Sequence, residues 1–181
     1  KMVFISSEQV FNGNPEAGPY KETDQALPDT VYGQTKLAAE IHLQSILQEL
    51  WIVRFTWLFG LPQRGCGMSG DILWGTVQSI LQNRPIRASK HEFRGMTYVQ
   101  EMVENVGKLL KLPYGTYHLG AENPKSRYEI VQEIILALGL ADRLGELLQE
   151  DQEKYAERPR DIRLDTAKAR AAGLIFSDTS T

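Results

Sequence analysis

Apolar positions along this chain follow two periods. Met2-Val3-Phe4-Ile5, Trp51 to Phe55 and Gly115 to Leu119 are short, nearly unbroken apolar runs. That is the pattern of strands covered on both faces, as in a parallel sheet. Between them the period changes to that of a helix. Pro28-Asp29-Thr30 gives start signals for a helix over Val31 to Leu50, with Ala38, Ala39, Ile41, Leu43, Ile46 and Leu47 as its apolar positions. Asp71 to Leu81 predicts a second helix, stopped by Asn83 and Pro85. Tyr98 to Lys111 predicts a third, with Met102, Val103, Val106, Leu109 and Leu110 turned inward. Ser126 and Glu129 match a capping box ahead of Ile130 to Leu140. Leu144 to Leu148 reads as helical, and Asp165 caps a short helix ending at Gly173. Ile86 to Ala88 reads as a short edge strand.

The stretches between these elements are also informative. Asn12 to Pro28 is rich in Gly, Pro, Asn and acids, which predicts a long surface loop of the kind that covers a site. Leu61 to Gly70 is a glycine-containing loop. Strands alternating with helices define an α/β fold with a mainly parallel sheet. Three strands are few for an open sheet, so the reading expects the remainder from outside these residues. The opening inside an apolar run supports the same expectation, that the chain continues something longer.

Composition narrows the class. The 181 residues are 42% hydrophobic and 24% charged, a globular balance. Twenty Lys and Arg against 23 Asp and Glu give a net charge of -3, which does not favour nucleic acid or an anionic membrane. No apolar run approaches the roughly 20 residues of a membrane span. Cys66 is the one cysteine, consistent with a reducing cytoplasm. His42, His91 and His118 have no metal-ligand spacing, so no metal is expected.

Three pieces can carry chemistry. Ser6-Ser7 ends the first strand, Tyr32 and Lys36 sit one turn apart on the first helix, and Arg54 to Gly60 ends the second strand. Carboxyl ends of parallel strands face the crevice where α/β folds bind ligands. An ammonium beside a phenol favours its ionised form, and such a tyrosine exchanges a proton with a substrate oxygen. A serine hydroxyl aimed at the same oxygen stabilises charge developing on it. A bare Tyr-x-x-x-Lys is weak evidence; its place after a strand, paired serines and a long loop gives it weight.

Ser6 to Gly13, Val31 to Glu40 and Val53 to Gly60 resemble the extended short-chain dehydrogenase/reductases. The branch they are most similar to is the dTDP-4-dehydrorhamnose reductases. Gly95-Met96-Thr97-Tyr98-Val99 and Arg158 to Lys168 agree with it. The resemblance implies an incomplete Rossmann-like parallel sheet plus a smaller α/β substrate-binding domain. Residues 1–60 would be the C-terminal part of the Rossmann-like domain, and 61–181 mostly the substrate domain, with about 96–119 returning to the first.

The implied activity is NAD(P)H-dependent reduction of a 4-keto nucleotide sugar. Tyr32 would protonate the keto oxygen. Lys36 would assist Tyr32 and hold the nicotinamide ribose, and Ser7 would complete the catalytic set. Ser7, Glu8, Gln9 and Trp57 would face the sugar. Glu8 and Gln9 replace the branch's usual Asp and Tyr. Gln9 cannot act as a base, which disfavours dehydration, and epimerases carry small residues at these positions. NADP(H) or NAD(H) would be held mainly by a segment N-terminal to Lys1. Gly65 to Gly70 does spell G-x-G-x-x-G, but it follows no strand directly and reads as a loop near the substrate. Arg158 and Arg160 could meet a substrate phosphate or form a salt-bridged turn. A nucleotide-sugar substrate, a homodimer and a cytoplasmic location complete the expectation. The alternatives are a non-catalytic regulatory subunit of the same fold, like a relative associated with methionine adenosyltransferase, or another nucleotide-sugar epimerase or reductase.

Overall fold

The computed structural model describes residues 1–61, 65–66 and 70–179. Gly67, Met68 and Ser69 of the glycine motif lie outside them.

Strand β1 (Met2–Ser7) runs into a 3₁₀ turn, Glu8–Phe11. Helix α1 (Val31–Ile46) follows, capped by Thr30, whose hydroxyl accepts the Gly33 N–H at 3.1 Å. Strand β2 (Leu50–Phe55) and strand β7 (Gly115–Leu119) complete a parallel sheet in the order β1-β2-β7. Alternation along β2 separates two faces. Trp51 and Val53 join Tyr117, Leu119, Met102 and Leu109 in one core against α3 (Val99–Leu109) and α6 (Ala167–Ala171). Arg54 stands on the other face, in register with Ser6 on β1 and His118 on β7.

A second core unites α2 (Ile72–Leu81), β4 (Ile86–Ala88), α4 (Arg127–Ala137), α5 (Leu144–Leu147) and β8 (Leu148–Glu150) through Ile72, Ala88, Ile130, Ile135 and Leu148. Three small parallel pairs hold it: β3 (Trp57–Phe59) with β6 (Met96–Tyr98), β4 with β8, and β5 (Glu92–Phe93) with β9 (Arg160–Asp161).

Several expectations change. Helix α1 stops at Ile46, because Leu50 pairs with Met2 as the first residue of β2. Its apolar positions do not face a core: Ile41 and Ile46 are both 60% exposed. On α3, Met102 and Leu109 are buried, whereas Val103 and Leu110 lie outward. Asp165 accepts the Ala167 N–H at 2.8 Å, but Thr166 occupies the cap position of α6. The 12–28 stretch is a loop, as expected, and it is pinned. Gly18 and Tyr20 donate backbone hydrogen bonds to Asp161 and Arg163, and the Arg158 guanidinium donates to the Gly13 and Asn14 carbonyls. Arg158 thus holds the loop through backbone carbonyls, and among the described residues it forms no salt bridge of the expected kind.

Candidate active site

The site forms where β1 ends. Ser7 is 9% exposed, and its hydroxyl oxygen accepts the Gln9 N–H at 3.2 Å, starting the 3₁₀ turn. The first turn of α1 lies directly on that turn. A Cβ at Gly33 would sit 2.5 Å from the Gln9 carbonyl oxygen and 2.8 Å from the Pro28 side chain, so only glycine permits the approach. This contact seats the start of α1, with Tyr32 next to Gly33, against the turn that follows β1. Lys36 reaches the same strand: its Nζ donates to the Ile5 carbonyl at 2.9 Å. The ammonium lies 5.7 Å from the centroid of the Tyr32 ring and 5.2 Å from that of Phe4. Tyr32 is 54% exposed, and among the described residues its hydroxyl has no hydrogen-bond partner.

Glu8, Gln9 and Trp57 come together in a different way from Tyr32 and Lys36. They meet a buried cluster of arginines and glutamates. Glu8 is ion-paired with Arg94, and both are almost fully buried. Burial pushes the Glu8 carboxyl above its usual range, against the pull of Arg94. The Arg94 guanidinium carbon lies over Trp57, 3.8 Å from the ring centroid. Glu92 binds Arg127 and Arg160, each at 3.3 Å. Arg160 also donates to the Gln9 side chain at 3.1 Å and to the Tyr155 hydroxyl at 2.9 Å. Of the roles open to Arg160, the structure thus shows an ion pair. Trp57 is half-buried and packs on the second core.

A second buried group lies behind α1. Glu40 accepts from Arg54 at 2.6 and 3.0 Å, and Arg54 Nη1 meets His118 Nε2 at 3.3 Å. His118 Nδ1 lies 3.0 Å from the Tyr20 carbonyl. Burial, with Arg54 adding to it, pushes the His118 imidazole down to about 3. Sequence reasoning named Arg54 only as the start of a strand-end segment and His118 only as a histidine without metal spacing, and it passed over the pairing of Glu40, Arg94 and Glu92. The signal was present in part: Arg54 is a charge inside an apolar run, and Glu40 stands one turn beyond Lys36. Among the described residues no group of three or more His, Cys, Asp or Glu could hold a metal, and no helix is long and apolar enough to cross a membrane.

A parallel sheet whose carboxyl edge meets a Tyr-x-x-x-Lys helix places the chain among the Rossmann-like α/β proteins. The crystal structure of a dTDP-4-dehydrorhamnose reductase from Bacillus anthracis, in complex with NADP, shares the fold. Its TM-score is 0.77 at 22% identity, covering 98% of this chain and 61% of that one. The model of the RmlD substrate binding domain matches residues 1–179, and the chain belongs to that family. It is similar to the spore coat polysaccharide biosynthesis protein SpsK of Bacillus subtilis, 27% identical over 158 residues, 87% of this chain and 53% of that protein. It is also similar to the methionine adenosyltransferase 2 subunit beta of Bos taurus, 26% identical over 180 residues, 96% and 52% respectively. The chain thus spans about half the length of the curated relatives it matches.

Proposed function

We propose that this chain is the catalytic and sugar-binding part of an NAD(P)H-dependent reductase of a 4-keto nucleotide sugar, as in the dTDP-4-dehydrorhamnose reductases. One observation carries the reading: the exposed, unengaged Tyr32 hydroxyl beside a Lys36 that is fixed to β1. Tyr32 would donate its proton to the keto oxygen as that oxygen gains charge. Ser7 supports it. Its oxygen already accepts from Gln9, so its own hydrogen is left to donate to the same oxygen. Lys36 spends one N–H on Ile5 and keeps two for the ribose hydroxyls of a nicotinamide cofactor. A reduced nicotinamide would supply the hydride. These residues fit the nicotinamide end of the cofactor. Its pyrophosphate would fall to a further Gly-rich βα unit pairing along the free edge of β1, so residues 1–60 with about 96–119 make up part of one domain and the remainder the sugar domain.

Glu8, Gln9 and Trp57 would line the sugar side. Glu8 is occupied by Arg94 and Gln9 by Arg160, which leaves neither free as the acid or base of a dehydration. A cytoplasmic homodimer completes the proposal. The test is the full-length protein with NADPH and dTDP-4-dehydrorhamnose: Tyr32→Phe should lower kcat by about 100-fold or more. Full activity in that variant overturns the assignment.

The similarity to methionine adenosyltransferase subunits favours a second reading, a binding subunit of the same fold. A full-length protein inactive on keto nucleotide sugars but purifying with another enzyme would select it.

A further inference from the structure

Helix α1 carries the two residues on which the reductase reading depends, yet it has little core to hold it. Of its sixteen residues only Gly33 and Glu40 are buried, while Val31, Ile41 and Ile46 are exposed. Tyr32, Lys36 and Glu40 follow one another at four-residue steps, so they share one side of the helix. Gly33 fixes the near end of α1 by close backbone approach. Glu40 fixes the helix just past its midpoint, and it does so through a directional contact. The Arg54 fork presents Nε and Nη2 to the Glu40 carboxylate at 3.0 and 2.6 Å. Arg54 is itself held: His118 lies against its remaining nitrogen, and the imidazole is fixed by the Tyr20 carbonyl. Apolar burial is indifferent to rotation, but a two-pronged fork is not.

We propose that Arg54, clamped between Glu40 and His118, is a positioning residue that sets the height and rotation of α1 and thereby places Tyr32 and Lys36 at the end of β1. Its kinetic consequence rests on the reductase reading; its structural consequence does not. A slip of α1 by a single turn would carry Tyr32 about 5.4 Å along the axis, out of reach of a bound carbonyl.

The test uses the full-length protein, with 3-fluorotyrosine in place of Tyr32, and the double variant Glu40→Leu/Arg54→Met. An apolar pair of similar volume commonly restores the stability of a buried ion pair, so this variant separates stability from geometry. The melting temperature is expected to hold. The kcat is expected to fall about tenfold or more, since small misplacements of catalytic groups are costly. KM for the keto sugar should stay within about twofold, and the fluorine resonance should move. A folded double variant with the parent's kcat and resonance overturns the proposal. Should the double variant not fold, Arg54→Lys is read in the same way, because lysine keeps the charge opposite Glu40 but not the fork. If the parent protein itself turns over no keto sugar, the reductase reading fails. The resonance then decides alone: displaced, it supports the positioning role, and unmoved, it overturns it.

Discussion

His118 shows how much one side chain can weigh on this molecule. Its imidazole is fully buried and pushed from 6.5 to about 3. In the unfolded chain it takes up a proton near its ordinary value, whereas in the folded protein it stays neutral. The contribution of His118 to stability is therefore complete above pH 6.5 and is lost as the pH falls toward about 3. One proton corresponds to about 1.4 kcal/mol per pH unit. Glu8 acts in the opposite sense, because its raised carboxyl is protonated first in the folded state. The reading is thus a difference: urea denaturation between pH 7 and 4 should show a shallower loss for His118→Gln than for the parent. Equal slopes would exclude His118 as the source. At this scale the sequence was legible where neighbours in the chain are neighbours in space. Tyr32 and Lys36 declare themselves by one helical turn. Arg54 does not, because Glu40 stands 14 residues before it on a helix and His118 stands 64 after it on a strand, and a lone charge in an apolar run does not say what neutralises it.

Local grammar was readable wherever an element closes on itself. Helix α4 is the clearest case. Ser126 accepts the Glu129 N–H while the Glu129 carboxylate takes the Ser126 N–H at 2.8 Å, as the Ser-x-x-Glu spacing requires. The Ser126 hydroxyl, 2.7 Å from the same carboxylate oxygen, and then the Ser126 N–H hold the Glu129 carboxyl below its usual range. Ser126→Ala should destabilise the protein by about 1 kcal/mol, seen as a lower urea midpoint with unchanged slope. The three long strands were legible for the same reason, since each carries its own apolar run. The pairs β3–β6, β4–β8 and β5–β9 were not, apart from Ile86 to Ala88. They are two or three residues long, and each partner lies well along the chain. Helix α1 misleads in another way. Its spacing is helical, but Ile41 and Ile46 face outward, so periodicity found the helix and mistook its inner face.

Among the described residues the sheet has an open side. Strand β1 lies at the edge of the β1-β2-β7 order, with Met2 at 39% and Ile5 at 41% exposure. An unpaired edge with apolar side chains invites another strand. Produced as these 181 residues, the polypeptide should self-associate at micromolar concentration in sedimentation velocity, and Ile5→Lys should suppress it. A monomer at all concentrations would show that the edge is already protected.

The loop that follows β1 is laced to the far end of the chain. Arg158 grips Asn14 across 144 residues, and Tyr20 lies beside Leu164. That loop also supplies the carbonyl that steadies His118, the outer jaw of the clamp on Arg54. The setting of the tyrosine-bearing helix is therefore completed only when residues 158–164 have arrived. On a ribosome, this protein would acquire its reacting groups before the segment that completes their alignment.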